Sequence, residues 1–325
     1  MPRVTGMVMQ YPAGAGRTVN PPVAAAGYTG RGRNLADRTG FRLRNQLQEQ
    51  RESDRTMTES PRRTALVTGA SAGIGLAFAQ VFAERGFDLV VTARRGDRLE
   101  ALAGELAAQH GTRTKVVVAD LADPAAPARI VADIEAAGIT IDALVNNAGY
   151  GVPGSYRSTR WEQQRDFIQV MVTAVAELTH RLLPGMLSRG YGRIVNVASL
   201  AGLVPSPAGH TLYGASKALL IKFSQALAQE VGPHGVHVTA VCPGFTYSEF
   251  HDVSGTRDRV GRLPSFLWMD ARSVALQGYD AVEAGRPIVV TGRVNRVIAA
   301  LAKYVPEPIA MLAVRSNSGR FRKSD

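Results

Sequence analysis

Residues 64–75 read TALVTGASAGIG: an apolar run leads into a turn with three glycines, and a helical pattern follows. Glycine lets a chain turn tightly and approach a pyrophosphate closely, and the N-terminus of the next helix favours the negative charge. A spaced-glycine pattern is weak alone, but here it follows a strand and opens a helix, as a dinucleotide-binding turn requires. The candidate cofactor contacts in this turn are Gly69, Ser71, Gly73, Ile74 and Gly75.

Six further β-rich runs follow, and helical patterns fill the gaps between them. Continuous apolar strands are buried on both faces, and alternation of strands with helices requires right-handed crossovers in a parallel sheet. The sequence predicts an α/β fold with a doubly wound, Rossmann-type sheet of seven parallel strands and helices on both faces, in one domain over 61–292. The predicted strands are TALVTG (64–69), DLVVTAR (88–94), TKVVVADL (114–121), IDALVNNAG (141–149), GRIVNVAS (192–199), VHVTAVCPG (236–244) and PIVVTG (287–292).

The composition excludes several classes of protein. One cysteine, Cys242, rules out a disulfide framework, and its place at the end of the sixth strand suits a small buried hydrophobe. The histidines form no paired ligand pattern, so no metal site is predicted. The longest uncharged runs, 65–83 and 194–216, are interrupted by glycine, proline and small polar residues, and no signal-peptide pattern precedes them. We expect a cytoplasmic protein without a transmembrane segment.

The net charge of +11 is concentrated at the two ends of the chain. Residues 1–56 hold nine Arg against four Asp or Glu, and residues 313–325 hold four basic residues against one acidic, so only +3 remains for the folded body. No interleaved aromatic pattern accompanies these ends, so no nucleic-acid role is predicted. Residues 1–60 lack apolar periodicity and are expected to be a disordered basic extension, with Met57 an alternative start.

Residues 293–325 are predicted to form C-terminal amphipathic helices and a basic tail. Their apolar faces are expected to cover the substrate entrance or to pack in a dimer, and a peripheral contact with a membrane surface stays open.

Arginines follow the second strand, where an acidic residue would bind the ribose hydroxyls of NAD. Arg94 lies 25 residues after Gly69, about where that acid is expected. A guanidinium instead offers a planar fork to a ribose 2′-phosphate. The sequence therefore favours NADP(H), with Arg94 as the main contact and Arg95 or Ser71 assisting.

The stretch YGASK places Tyr213 four residues before Lys217, so that both lie on one face of a helix. An ammonium about 4 Å from a phenol, at an effective dielectric near 20, favours the phenolate by about 4 kcal/mol, or roughly three pKa units. Tyr213 is thus a candidate acid/base near neutral pH. Ser199, at the end of the fifth strand, is the candidate holder of the substrate oxygen, while hydride passes between a nicotinamide and the adjacent carbon.

Taken together, TGASAGIG, NNAG (146–149), the set Ser199, Tyr213 and Lys217, and PG (243–244) resemble the short-chain dehydrogenase/reductase family over residues 63–292. The resemblance implies that Lys217 also binds the ribose hydroxyls and that the protein is a homodimer formed through helices at 161–188 and 213–231. TARRG and FLWMDARSVA (266–275) resemble a branch of NADP-dependent reductases that act on apolar carbonyls or acyl-derived ketones. Further implied cofactor contacts are Asp120 and Leu121 on the adenine side, Asn147, Ala148 and Gly149 along the cofactor, and Pro243, Gly244 and Thr246 at the nicotinamide end.

Two features depart from the family pattern. Met171 stands where the family usually has an asparagine that helps to hold a water chain to the catalytic lysine, and a thioether cannot donate that hydrogen bond. Either water is held by backbone groups with some loss of rate, or catalysis has been lost and the protein binds NADP for sensing or for a partner. The spacing from Ser199 to Tyr213 is one residue longer than the commonest form, which a loop can absorb.

The substrate is predicted to be a small molecule with an apolar carbonyl or alcohol. The segment 246–268 contains several aromatic residues, among them Tyr247 and Phe250, and in the family the corresponding segment covers the substrate. Packing alone would equally account for these aromatics. His210, in the loop before Tyr213, is interpreted as a polar loop residue.

Overall fold

The apolar runs predicted as strands pair in parallel to form one sheet, so the predicted fold class is confirmed. The computed structural model describes residues 62–152, 154–209, 211–250, 263–306, 308–309 and 311. The predicted N-terminal extension (1–60), His210 and most of the C-terminal tail lie outside these residues. The strands are β1 (Thr64–Thr68), β2 (Asp88–Ala93), β3 (Thr114–Val118), β4 (Ala143–Asn146), β5 (Gly192–Val197), β6 (Val236–Cys242), β7 (Phe245–Tyr247), β8 (Trp268–Asp270) and β9 (Ile288–Val290).

The seven-stranded sheet has the order β3-β2-β1-β4-β5-β6-β9. Val67 of β1 pairs with Val91 of β2 on one side and with Val145 of β4 on the other. The direction of winding reverses between β1 and β4, and a crevice opens beyond the carboxyl ends of strands at such a switch point. The glycine turn begins directly after β1, so the fold delivers it to this crevice.

Helices cover both faces of the sheet, as the alternation of strands and helices predicts. One core contains side chains of α1, α2 and α7, including Phe78, Phe82 and Val274. The other contains side chains of α3, α5 and α6, including Ile130 and Leu178. The helices are α1 (Gly73–Glu84), α2 (Gly96–His110), α3 (Ala126–Ala136), α4 (Trp161–Ile168), α5 (Ala174–Ser188), α6 (Thr211–Val231), α7 (Ala271–Glu283) and α8 (Arg293–Tyr304).

A second, two-stranded sheet was not predicted. β7 and β8 pair in parallel, and the ring of Tyr247 stacks on that of Trp268 at 4.8 Å between centroids. Strands of three residues are too short to show an alternating pattern, which explains why the sequence did not reveal them. β7 lies directly after β6, and β8 directly precedes α7, so their pairing joins the point where the chain leaves the main sheet to the start of that helix.

Within the part of the chain that the structure describes, no helix combines the length and apolar content needed to cross a membrane.

Candidate active site

The glycine turn between β1 and α1 depends on the absence of side chains. Gly69 and Gly73 have φ of +68° and +58°, a region that residues with a Cβ rarely adopt. A Cβ at Gly75 would collide with the carbonyl oxygen of Gly69. The N-cap residue Ala72 supplies no side-chain cap to α1, and the first turn of that helix has no acidic residue. This helix end therefore retains the features that favour an anion.

Thr68 joins the glycine turn to the NNAG loop and was missed by sequence reasoning. Its hydroxyl oxygen accepts hydrogen bonds from the backbone N–H groups of Asn147 and Ala148, both at 3.0 Å, and donates to the carbonyl oxygen of Val145 at 3.2 Å. The Asn147 amide donates in turn to the Thr68 carbonyl oxygen at 2.9 Å. These bonds hold the two predicted cofactor-binding loops edge to edge across the switch point.

Arg95, rather than Arg94, contacts the glycine turn. Its Nε and Nη2 atoms donate to the Ser71 hydroxyl at 3.2 and 3.0 Å. Arg94 is 70% exposed, and its guanidinium lies 3.9 Å from the Asp120 carboxylate. Leu121, which follows Asp120, is buried in the core between the sheet and helices α3, α5 and α6. The structure thus brings Arg95 and Ser71 together and leaves Arg94 at the rim.

Tyr213 and Lys217 lie on the same side of α6, as their spacing predicts. The Nζ atom of Lys217 is 5.8 Å from the centre of the Tyr213 ring. That nitrogen also donates a hydrogen bond of 2.7 Å to the carbonyl oxygen of Val197 at the end of β5. The bond points the lysine toward the carboxyl edge of the sheet, where the predicted cofactor contacts also lie.

Among the residues that the structure describes, none forms an ion pair with the ammonium of Lys217. Burial lowers its pKa to about 8. The Cys242 thiol interacts electrostatically with this ammonium, and burial raises the pKa of the thiol to about 12, so that it is neutral at physiological pH. A buried cation without an ionised partner destabilises the fold, and it can pair with the anionic groups of a ligand.

Two glycines allow the loop that carries Ser199 to pack closely against α6. A Cβ at Gly202 would lie 2.6 Å from the carbonyl carbon of Lys217, and one at Gly214 would collide with the Ser206 hydroxyl. The Ser199 hydroxyl accepts a hydrogen bond from the backbone N–H of Ala201 at 3.1 Å, which caps a short helical turn. Close backbone packing therefore fixes the loop that presents Ser199 relative to the helix that presents Tyr213.

The PG turn after β6 closes the other side of the site. The Leu200 backbone N–H donates to the Pro243 carbonyl oxygen at 2.8 Å, which ties this turn to the serine loop. Thr246 is buried and donates to the Gly244 carbonyl oxygen at 3.2 Å. A Cβ at Gly244 would collide with the Asn295 side chain at the start of α8.

Ser248 lies over the glycine turn. A Cβ added at Gly73 would be 2.9 Å from the Cβ of Ser248. Neither Ser248 nor Asn295 was predicted from the sequence.

Met171 lies in a π-helical turn, Gln169–Thr173, between α4 and α5. Its side chain is buried in a cluster with Val152, Phe167 and Tyr213. A Cβ at Gly149 would lie 2.8 Å from the Met171 sulfur, so the thioether packs directly on the NNAG loop. Single π turns occur frequently at functional sites.

Two hollows are of interest, and Tyr213 lines the first of them. A cavity of about 20 Å³ is lined by Val152, Tyr156, Phe167, Leu212 and Tyr213, among others. A groove of about 660 Å³ lies between the loop at 203–206, which follows Ser199, and the C-terminal residues 302–306 and Met311. The described ranges hold no group of three or more His, Cys, Asp or Glu side chains that would bind a metal.

A glycine turn lies at the switch point of the parallel sheet, and a tyrosine and a buried lysine lie at the same edge, as the sequence predicts for an oxidoreductase. The family model for short chain dehydrogenases matches residues 63–258. The chain belongs to this family.

Among curated relatives, oxidoreductase UcpA of Salmonella typhimurium is 35% identical over 225 residues, which cover 69% of this chain and 84% of that protein. The very-long-chain 3-oxoacyl-CoA reductase of Anas platyrhynchos is 37% identical over 195 residues, 58% of this chain and 62% of that protein. Among solved structures, a short-chain dehydrogenase from Sphingobium yanoikuyae in complex with NADPH is 32% identical with a TM-score of 0.67, covering 77% of this chain and 95% of that one. The L-sorbose reductase of Gluconobacter frateurii, complexed with NADPH and L-sorbose, is 28% identical with a TM-score of 0.62, covering 71% and 96%.

Proposed function

We propose that the protein is an NADP(H)-dependent oxidoreductase that interconverts an apolar carbonyl compound and its alcohol. The observation that carries the proposal is the buried Lys217 ammonium, 5.8 Å from the Tyr213 ring, at the same edge of the sheet as the glycine turn. The complexes of two structural relatives with NADPH support the choice of cofactor.

The residues present fit a phosphorylated dinucleotide. Gly69, Gly73 and the uncapped start of α1 suit the pyrophosphate. Ser71 and Arg95, which already contact each other, would bind the 2′-phosphate, with Arg94 available at the rim. The remaining residues that we assign to the cofactor are Ile74, Gly75, Asp120, Leu121, Asn147, Ala148, Gly149, Tyr213, Lys217, Pro243, Gly244 and Thr246.

The chain supplies the proton transfer and the positioning, and the bound cofactor would supply the hydride. In the direction of reduction, the Tyr213 hydroxyl donates its proton to the carbonyl oxygen, and the Ser199 hydroxyl holds that oxygen by a hydrogen bond. The Lys217 ammonium stabilises the negative charge left on Tyr213, because opposite charges attract strongly where water is excluded. In the direction of oxidation, the Tyr213 phenolate accepts the proton from the alcohol, while Ser199 and Lys217 keep the same roles.

Apolar surroundings near Tyr213 support an apolar substrate. Val152, Phe167 and Leu212 line the small cavity, and the Phe250 ring lies 5.7 Å from the Tyr213 ring. The groove against the C-terminal residues offers room for a longer chain, and a 3-oxoacyl-CoA reductase is among the relatives. We therefore favour long-chain ketones and 3-oxoacyl thioesters over sugars.

A homodimer is supported by exposed apolar side chains on the two predicted interface helices. Trp161 at the start of α4 is 61% exposed, and Leu219 in α6 is 45% exposed. Light scattering measures the mass of the wild type and of a variant in which Trp161 and Leu219 are both replaced with glutamate. A wild-type mass of one chain, or a dimer mass that the double replacement leaves unchanged, would exclude this assembly.

Met171 favours a second candidate, an NADP-binding protein that no longer catalyses. Its side chain is surrounded by apolar groups and Gly149, and a thioether cannot donate the hydrogen bond that the asparagine usual in the family gives to a water chain reaching the lysine. NADPH oxidation with apolar ketones and 3-oxoacyl thioesters separates the two candidates. Turnover that disappears in Tyr213→Phe supports the enzyme, whereas tight NADPH binding without turnover of any compound supports the second candidate.

A further inference from the structure

Glu249 bridges two arginines beside the glycine turn. Its Oε2 atom accepts a hydrogen bond of 2.7 Å from Nη1 of Arg95, and its Oε1 atom accepts one of 2.6 Å from Nη1 of Arg98. Hydrogen bonds from Arg98 and then Arg95 lower the pKa of this carboxyl group, so it is ionised at neutral pH. The glutamate follows β7 in the chain, whereas both arginines belong to the start of α2.

The ion pair between Glu249 and Arg95 lies where the proposed function places the 2′-phosphate of NADP(H). Arg95 also contacts the Ser71 hydroxyl of the glycine turn, and Ser248 crosses over Gly73 in that turn. The residues after β7 thus pass over the turn and finish with a carboxylate between two guanidinium groups. A carboxylate held in this way occupies the donors that a phosphate monoester would use, since both anions pair with arginine through the same N–H groups.

We propose that Glu249 is a residue that sets cofactor specificity: it is an internal anion that the 2′-phosphate of NADP(H) displaces from Arg95 and Arg98. This inference rests on the proposed function. A cofactor without the phosphate has nothing to exchange for the carboxylate and leaves the bridge in place. The phosphate carries a charge near −2 and three acceptor oxygens, so it competes successfully for the same donors.

The exchange also has a mechanical consequence. Phe250, the next residue, packs against the ring of Tyr213 at 5.7 Å between centroids. Release of Glu249 therefore loosens an aromatic contact on the catalytic tyrosine, and it does so only for the phosphorylated cofactor.

The test is direct binding of NADPH and NADH to the full-length protein and to Glu249→Gln, measured by nucleotide fluorescence and calorimetry. Both ion pairs are partly exposed, so we expect the variant to bind NADPH about two- to tenfold more tightly, with NADH affinity unchanged. Adenosine 2′-monophosphate should gain by the same factor, and adenosine 5′-monophosphate should not. Glu84→Gln is the matched control, because it removes one carboxylate from a bidentate pair with Arg272 at the far end of α1.

Each result has one meaning. Equal NADPH affinity in Glu249→Gln and Glu84→Gln overturns the exchange and leaves the proposed function intact. Weaker NADPH binding in Glu249→Gln also overturns it, because the glutamate would then position the arginines for the phosphate. Absence of NADPH binding in every variant overturns the proposed function and the exchange together. Thermal unfolding and Glu249→Ala show whether a change in affinity follows the charge or a loss of folding.

Discussion

The ammonium of Lys217 and the carbonyl oxygen of Val197 are 2.7 Å apart, and this bond is what turns the lysine toward the catalytic edge of the sheet. Val197 is the last residue of β5, so the strand that carries Ser199 two residues later also orients the lysine. A backbone acceptor leaves the positive charge uncompensated. Under the proposed function, that charge acts on Tyr213 and on the cofactor.

Replacing Lys217 with methionine should abolish turnover and stabilise the fold at pH 7. Burial depresses the pKa of this lysine from 10.5 to about 8. Below about pH 8 the folded state must carry a buried charge, whereas between about 8 and 10.5 only the unfolded state binds the proton, so the wild type gains stability as pH rises. We expect the variant to be more stable by about 1–3 kcal/mol at pH 7, with a smaller difference at pH 10. Chemical unfolding at the two pH values measures it, and the exposed Lys222→Met is the control that should show no such dependence.

Tyr213→Phe should lower kcat by about 10²- to 10⁴-fold and leave NADPH affinity nearly unchanged, because it removes only the transferable proton. Tyr156→Phe is the matched control, since Tyr156 lines the same cavity and is half exposed. Steady-state rates and cofactor titration are the measurements. A comparable loss of kcat in both variants would contradict the role of Tyr213.

Met171→Asn should raise kcat if water near Lys217 limits the rate. The same change should destabilise the fold by about 1–3 kcal/mol, because an amide would enter an apolar cluster. Met171→Leu conserves volume and should change stability by less than about 1.5 kcal/mol with kcat unaltered. If both variants turn over at the wild-type rate, the methionine has no bearing on catalysis.

Gly202→Ala should reduce both stability and turnover. The new methyl group would lie 2.6 Å from the backbone of Lys217, and neither backbone segment can move without displacing the serine loop from α6. A cost of about 1–3 kcal/mol is typical of overpacking. Gly104→Ala in the exposed face of α2 meets no atom within 4 Å and should instead stabilise by about 0.5–1 kcal/mol. Thermal unfolding and steady-state rates of the two variants measure these effects. Equal stability and equal turnover in both variants would contradict the prediction.

Arg95→Ala should weaken NADPH binding by roughly tenfold and affect NADH little, because charge-assisted hydrogen bonds to phosphate are lost. Arg94→Ala should have the smaller effect, since its side chain is largely exposed and its ion pair with Asp120 is long, at 3.9 Å. Calorimetric titration of the two variants ranks them. The reverse ranking would assign the phosphate to the rim arginine that the sequence favoured.

The sequence predicted those parts of the molecule that are local in the chain. The β-rich run VHVTAVC at 236–242 predicted a buried strand, and the four-residue spacing predicted that Tyr213 and Lys217 share a face. The hydrogen bonds of Thr68 could not be predicted from the sequence, because its partners Asn147 and Ala148 are 79 and 80 positions away. The ion pair of Glu249 with Arg95 could not be predicted for the same reason, since 154 positions separate the two residues. A polar residue reveals such a role only when the folded chain shows which groups it meets.

The amide of Asn295 sits against Gly244, where any side chain would collide with it. That asparagine is buried at the beginning of α8 and is anchored by a 2.8 Å bond to the carbonyl oxygen of Thr291. Helix α8 therefore packs against the PG turn, which we assign to the nicotinamide end of the proposed cofactor site. We expect a polypeptide shortened after residue 292 to leave this turn open to bulk water on that side.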